Sequence, residues 1–462
     1  MNRPLKAVVG LVAVSLFAIA LEGEARACGG CFAPPGAETV VTDHRMILSV
    51  SKGQTTLYDQ IRYQGSPESF AWVLPIVGTV QVGLSSDLLF TGIDNQTTTA
   101  VSAPPSNCPT PPQECFSEER ASAPNDGAGS SSGGVSVLER AVVGPFETVQ
   151  LRSTDADALN KWLATNNFSV PDAVKPVIAQ YVAEKFDFLA LKLVPGKGVN
   201  DMRPVRVTTQ GASAVLPLRM VAAGTGATVG ITLWTFAEGR YEPQNFPTYR
   251  IQDSELVWDW TASRSNFTEL RKAKGDASGG KAWELESSLP LSKQQVQFGL
   301  NARNGPTTAA GDYLGYSPVK DAQGTILKTA EEVSAEDLDV LFSGIPGTAR
   351  VTRIRADLNQ AALAADLLLT ASADQGQLTR DRVAQKELNQ PQCPVYDGCA
   401  YIGNAPRDEA IAQTNANNGL VAGGTALCTV SSPPVSSMLS PASLVGLTAF
   451  LGLVVSRRRK RS

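Results

Sequence analysis

The sequence predicts an α+β fold, mostly antiparallel β-sheet with a few helices. Two observations carry this. β-branched and aromatic residues alternate with polar ones over many short stretches, the pattern of half-buried strands. Helical periodicity is confined to a few segments clustered between runs of such strands, which does not fit the strand-by-strand alternation of a doubly wound sheet. No period of solenoid or propeller length occurs.

In chain order, residues 39–50, 54–64 and 69–80 read as strands of a meander. Residues 101–135 break the pattern with Pro104-Pro105, Pro111-Pro112 and the run from Gly127 to Gly134. That composition buries too little apolar surface to offset its chain entropy, so it is expected to be a flexible insertion. Residues 137–151 read as strand. A helix follows to Leu163, capped by Ser153 or Thr154, with Asp155 and Asp157 in the first turn where the helix dipole favours negative charge. A second helix is expected over 172–184; Ala173, Val177, Ile178, Tyr181 and Val182 give it one apolar face, and Pro176 falls in its first turns. Strands are expected at 186–194, 205–209, 214–221, 228–236 and 249–258. Beyond them, a helix at 331–342, a strand at 349–356 and a helix at 360–369 precede a polar, loop-like stretch.

The two ends carry addresses. Arg3 and Lys6 precede an apolar run over 7–21, and Ala25-Arg26-Ala27 stands directly before Cys28. This is the order of a secretory signal peptide over residues 1–27. At the other end, residues 441–455 are almost wholly apolar and Arg457, Arg458, Arg459, Lys460 and Arg461 follow. Residues 437–462 therefore read as one hydrophobic helix with a basic, cytoplasmic-side tail, through which the protein would meet the membrane. Between the ends, the expected plan is an α+β domain over 28–360 and a polar, helical or loop-rich spacer over 361–436.

Setting aside Arg3, Lys6, Arg26, Glu22, Glu24 and the basic pentad leaves 32 Lys and Arg against 42 Asp and Glu, a net of −10. An acidic body argues against nucleic acid as a partner, because phosphate tracking needs clustered Lys and Arg. Export machinery is the expected protein partner, and no cofactor or metal is expected. Hydrophobic content of 43% places the middle among globular chains.

Seven cysteines are spaced as Cys28/Cys31, Cys108/Cys115, Cys393/Cys399 and a lone Cys428. In an oxidising compartment such close pairs read as local disulfides that staple loops. Cys28-x-x-Cys31 is alternatively a thiol redox pair, and Cys28 is also a position for lipidation. His44, the one histidine, rules out most histidine-rich metal sites. On its strand it faces away from Arg45 and Ile47, as a solvated or hydrogen-bonded structural residue.

Gly275-x4-Gly280-Lys281 has phosphate-loop spacing but ends in Ala282 where a magnesium-holding hydroxyl is needed. Asp155-x-Asp157 lacks the glycine of a calcium loop, and helix capping accounts for it. Trp258-Asp259-Trp260 puts two indoles on one face of a strand, a platform able to stack a sugar or peptide ring, although core packing also accounts for it. The expected role is a non-enzymatic binding or structural module of the cell envelope. The alternative is an envelope enzyme using the Cys28/Cys31 thiols or carboxylates.

Several stretches taken together carry a resemblance: Cys28-Gly29-Gly30-Cys31-Phe32, Phe70-Ala71-Trp72-Val73-Leu74-Pro75, Phe186 to Leu193, Arg203-Pro204-Val205-Arg206-Val207, Leu216-Pro217-Leu218-Arg219-Met220 and Arg240 to Pro247. The series resembles a family of secreted bacterial proteins defined by a domain of unknown function, number 2330, over roughly residues 28–360. The resemblance implies export and assigns no activity, cofactor or catalytic residue. The tail resembles C-terminal sorting signals of the myxobacterial type, in which a short motif, often with Cys, precedes a hydrophobic helix and an Arg-rich end. Cys428, Arg457, Arg458 and Arg459 match those parts. The apolar segment, about 15 to 18 residues at ~1.5 Å each, is shorter than a ~30 Å hydrocarbon core, which suits a cleaved signal better than a permanent anchor.

Overall fold

The computed structural model describes residues 31–32, 40–64, 71–111, 142–304 and 311–419, apart from 167–171, 173, 195, 197–201, 223–227 and 322. Its centre is an eight-stranded sheet in the order Thr248–Tyr249, Trp283–Ser292, Thr348–Asn359, Thr228–Ala237, Val40–Val50, Gln54–Gln64, Val205–Gln210, Gln81–Leu84. Val40–Val50 pairs parallel with Thr228–Ala237 and antiparallel with Gln54–Gln64.

Alternation along these strands feeds two cores, because successive side chains leave on opposite faces. Ile47, Tyr58, Trp234, Phe236 and Val351 meet the helices Asp87–Thr97, Lys293–Asn304 and Ala330–Leu341. Met46, Leu48, Ile231, Leu233, Ile354 and Leu358 meet Leu216, Leu218, Leu363 and Leu367 on the other face.

A five-stranded antiparallel sheet packs on one end of the first, in the order Cys31–Phe32, Ala71–Ile76, Asp187–Leu193, Phe146–Leu151, Val142–Val143. Its inner face sets Trp72, Leu74, Leu189 and Leu191 against Val205 and Val207. Its outer face sets Val73, Phe188 and Ala190 under the helices Ala156–Thr165 and Lys175–Ala183. The fold class is thus α+β, with mostly antiparallel sheets.

Several expectations change. Residues 214–221 keep only the short strand Val215–Leu216, because Pro217 ends the pairing and Leu218–Val221 turns into helix. Residues 249–258 divide into Thr248–Tyr249, a 3₁₀ turn Asp253–Glu255 and Val257–Asp259. The cap of the first expected helix is Asp155, whose carboxylate accepts from the amides of Asp157 and Ala158. Residues 360–369 are a 3₁₀ turn, Ala362–Ala364, and the start of a strand, Leu367–Ala371. Two short partners, Val215–Leu216 and Tyr241–Pro243, take up that strand's edges and override the helical propensity of its alanines and leucines.

The expected spacer belongs to the body as far as Asn417. Asp381–Val383 runs parallel to Ala100–Ser102, and Lys386–Leu388 runs parallel to Val257–Asp259. Gln392–Asp397 and Ala400–Pro406 form a hairpin covered by the helix Arg407–Asn417. Of the expected insertion, Ala100–Ser102 is therefore strand, while 112–135 lies outside the described residues.

The cysteines pair otherwise than expected. Cys108 is bonded to Cys393, 285 residues away, so neither Cys108/Cys115 nor Cys393/Cys399 is a local staple. Cys399 is disulfide-bonded as well. Spacing suggested neighbours because closeness in sequence was the available guide; the fold instead brings the stretch after Ala100–Ser102 against the C-terminal hairpin. Cys28, Cys115 and Cys428 lie outside the described residues, as do residues 437–462 with Arg457, Arg458 and Arg459. Among the described residues no helix is long and apolar enough to cross a membrane.

A buried charge cluster fixes the helix Asp87–Thr97 to the large sheet. Arg353 pairs with Glu286 and Asp94, and Arg45 reaches Asp94 at 3.1 Å. Both guanidinium groups lie over the Trp234 ring, Arg353 at 5.1 Å and Arg45 at 5.3 Å from its centroid, and the Trp234 indole donates to Thr97 Oγ1 at 2.7 Å. Next to this cluster Glu284, 1% exposed, stands opposite Arg355 in the strand register. Burial, followed by the neighbouring Glu286 charge, pushes its carboxyl from the ordinary 4.5 up to about 8.

That shift has a sign. Between pH 4.5 and 8 the folded protein keeps a proton on Glu284 that the unfolded chain has released, so this group's contribution to stability declines as pH rises through that window. Glu284→Gln is expected to remove the decline. Urea denaturation of both proteins at pH 4.5, 6 and 9 checks it: the variant's relative stability should grow with pH, and a constant difference would overturn the assignment.

Candidate functional site

A cleft of about 730 Å³ lies at the Gln81–Leu84 end of the large sheet. This lies within the size range of ligand sites. Five segments wall it: residues 82–85, Gly144-Pro145, Arg203 with Arg206, residues 315–320, and Lys328 with Val333 and Glu336. The hairpin Val319–Lys320/Ile326–Lys328 leads into the helix Ala330–Leu341, whose start is fixed by a reciprocal cap between Thr329 and Glu332. The cap places Glu336 and Asp337 one turn further on, over Arg206.

Asp337 is fully buried and accepts from Arg206 Nη1 at 2.8 Å, Ser85 Oγ at 2.5 Å and Tyr316 OH at 2.7 Å. Burial pushes its carboxyl above the ordinary range, although all three donors favour the ionised form. Burial likewise dominates the two phenols packed here, Tyr58 and Tyr316, raising both well above 10. Loss of solvation is the largest influence on Arg206 and lowers its pKa, but the charge and hydrogen bond of Asp337, with Tyr58 and Glu336, together outweigh it and hold the pKa above the ordinary value. Arg206 is thus a fixed cation.

Glu336 projects toward the cleft, 43% exposed, with Oε1 3.0 Å from Arg206 Nη2 and Oε2 2.6 Å from Lys328 Nζ. Partial burial raises its pKa, but Lys328 and Arg206 overcome this and hold it below the ordinary carboxylate range. With Lys320 and Arg203 the lining holds four cations against the carboxylate of Glu336, in a body of net −10. Gly83 is required here: a Cβ on it would fall 2.4 Å from Arg206 Nε. The arrangement can hold an anionic group between a guanidinium and an ammonium.

The sequence-predicted positions lie elsewhere. Trp258 and Trp260 do meet, with centroids 6.3 Å apart, but at 72°, edge to face and not as a flat platform. Trp260 donates to Glu387 at 2.8 Å, and Glu387 pairs with Arg407. Trp258 packs beside Ile251 and Leu256. Cys31 stands in a strand opposite Trp72, not at a helix start. Gly279 and Gly280 follow the helix Phe267–Ala277 as its C-terminal turn, whereas a phosphate loop precedes its helix.

His44 is neither solvated nor hydrogen-bonded. It is fully buried, neither ring nitrogen has a hydrogen-bond partner among the described residues, and Asp59 Oδ1 stands 3.8 Å from Nδ1. Asp59 and Trp72 line two small cavities, of about 30 and 20 Å³, between the sheets. Among the described residues no three His, Cys, Asp or Glu side chains gather as a metal site.

Sequence reasoning missed the cleft. Its one legible signal is Arg203-Pro204-Val205-Arg206, a stretch quoted above for the family resemblance. Lys320, Lys328 and Glu336 come from more than a hundred residues further on.

Fold and site define an α+β protein with two large sheets and a cation-lined cleft at a sheet edge. The chain belongs to a family described as "uncharacterized protein conserved in bacteria (DUF2330)", whose model matches residues 23–296. That is shorter at the C-terminal side than the 28–360 expected. No curated protein matches the chain. Among solved structures, it is similar to baculovirus P35 at 9% identity and a TM-score of 0.30, over 74% of this chain and 99% of that one.

Proposed function

We propose that this protein is an exported binding module, held at or released from the cell envelope, whose ligand site is the cleft at Arg206 and Lys328. The observation that carries it is the cleft itself: about 730 Å³ of space lined by cations, one of them anchored from behind by the buried Asp337. A fixed cation facing an open cleft is a means of orienting a ligand. The signal-like segment before Cys28 supports export, and the Cys108–Cys393 bond suits an oxidising compartment. Membrane attachment or sorting through residues 437–462 is part of the same proposal.

Native mass spectrometry on the full chain recovered from its own envelope tests this. The expected result is a polypeptide starting at Cys28 with a non-covalent adduct, lost in Ser317→Trp, which fills the cleft without altering its charges. An unprocessed N-terminus would sink the export reading. An adduct unaffected by Ser317→Trp would sink the cleft as the ligand site.

A further inference from the structure

We infer that the cleft takes an extended acidic peptide, which adds as a strand to the free edge of Gln81–Leu84 and places a carboxylate between Arg206 and Lys328. This rests on the cleft being the ligand site and goes on to name the ligand.

The first argument is backbone geometry. Val82, Gly83, Leu84 and Ser85 are consecutive, yet all four line the cleft. Side chains of a strand alternate between faces, so a wall of consecutive residues is the strand's edge. Among the described residues no other strand pairs with that edge, since Gln81–Leu84 is the last strand of its sheet.

The direction of its amides follows from the register. Ser85 N–H donates to Pro204 O at 2.8 Å, one step beyond the Leu84↔Val205 pair. In an antiparallel ladder hydrogen-bonded pairs alternate with non-bonded ones. Gly83↔Arg206 is therefore a bonded pair, while Val82 and Leu84 turn their N–H and C=O groups outward, into the cleft. An exposed edge of this kind is a template for an added strand.

The second argument is charge. Glu336 already holds a carboxylate at the position a ligand's would take, bridging Arg206 and Lys328. It is 43% exposed, so an incoming carboxylate can displace it. Val319, 45% exposed on the facing hairpin and part of the cleft wall, offers apolar contact to the alternate side chains of the peptide.

The test uses the full disulfide-intact chain and a fluorescein-labelled heptapeptide alternating Glu and Val, read by anisotropy at low and 0.15 M salt. The expected results are binding that weakens with salt, about tenfold loss in Lys328→Gln, and tighter binding in Glu336→Gln, which frees both cations. Val82→Pro removes an outward N–H and no ladder bond, so it should weaken binding while leaving the fold intact. The same loss is expected for a peptide N-methylated at alternate amides, which needs no protein variant.

Equal binding of a Lys–Val heptapeptide overturns the acidic preference, and equal binding of the N-methylated peptide overturns strand addition. No heptapeptide binding, but binding of inorganic phosphate that is lost in Lys328→Gln and Ser317→Trp, overturns the peptide and leaves the cleft reading standing. Probe binding untouched by Ser317→Trp removes both.

Discussion

Replacing Arg353 with Met is expected to lower the free energy of unfolding by about 3–5 kcal/mol, the range for breaking a buried ion pair by removing one partner. Glu286 is 2% exposed, and without Arg353 its nearest cation is Arg271 at 3.6 Å. The cost is mainly that of the stranded carboxylate, with the lost stacking on Trp234 added to it. The cause can be separated from lost packing: adding Glu286→Gln to Arg353→Met should restore a large part of the loss, because no buried charge then lacks a partner. Urea denaturation of the single and double variants measures both steps. A loss below about 1 kcal/mol, the range of a solvated pair, would show that water reaches the cluster.

Asp94 extends this effect to the helix above the sheet. Burial works against its charge, but Arg353 leads the interactions that hold its pKa below the ordinary value. In Arg353→Met only Arg45 remains to bind it from the sheet. Amide exchange in Asp87–Thr97 should therefore accelerate more than exchange in Lys175–Ala183, which packs on the other sheet.

The parts of the fold that were legible in the sequence are those where side-chain chemistry and period agree. Val40–Val50, Gln54–Gln64, Val205–Gln210 and Thr228–Ala237 carry β-branched and apolar residues at strand spacing and were read within a residue or two. Trp283–Ser292 was not, because its buried residues include Glu284, Glu286, Ser287 and Ser288, which read as solvent-facing until Arg353 and Arg271 are placed beside them. The helix Asp87–Thr97 had a local signal that went unused, Ser86 and Asp87 ahead of Leu89, Phe90 and Ile93. Strands beyond Thr370 are short and polar and take their conformation from partners far away in sequence. The cleft was hidden for the same reason: Arg206 and Glu336 are 130 residues apart, and packing of the helix Ala330–Leu341 on the sheet face that carries Tyr58 and Arg206 brings them together.

The C-terminal unit should depend strongly on its disulfides, Cys108–Cys393 and the one formed by Cys399. Gln392–Asp397, Ala400–Pro406 and the helix Arg407–Asn417 enclose a core of only Cys393, Val395, Ala405 and Ala410, with Cys108 packed against it. So little apolar surface cannot offset the ordering of some 25 residues. Beyond these disulfides, its fastenings to the body include the Arg407–Glu387 pair, with Glu387 also held by Trp260. Removing a native disulfide costs about 2–5 kcal/mol, more for longer closed loops, and Cys108–Cys393 spans 285 residues. The double variant Cys108→Ser/Cys393→Ser, which keeps the Cys399 disulfide, is therefore expected within that range. The loss should be uneven: the hairpin and its helix should open first, so that limited proteolysis cuts within 390–419 under conditions that leave the two sheets intact. A single cooperative transition shifted by less than about 1 kcal/mol would mean that the Cys399 disulfide and the Glu387 network hold the unit without it. If the tail beyond residue 419 is attached to the envelope, the Cys108–Cys393 bond, with the Cys399 disulfide, lets a pull on that tail reach the body without first unfolding the strands between Leu367 and Leu388.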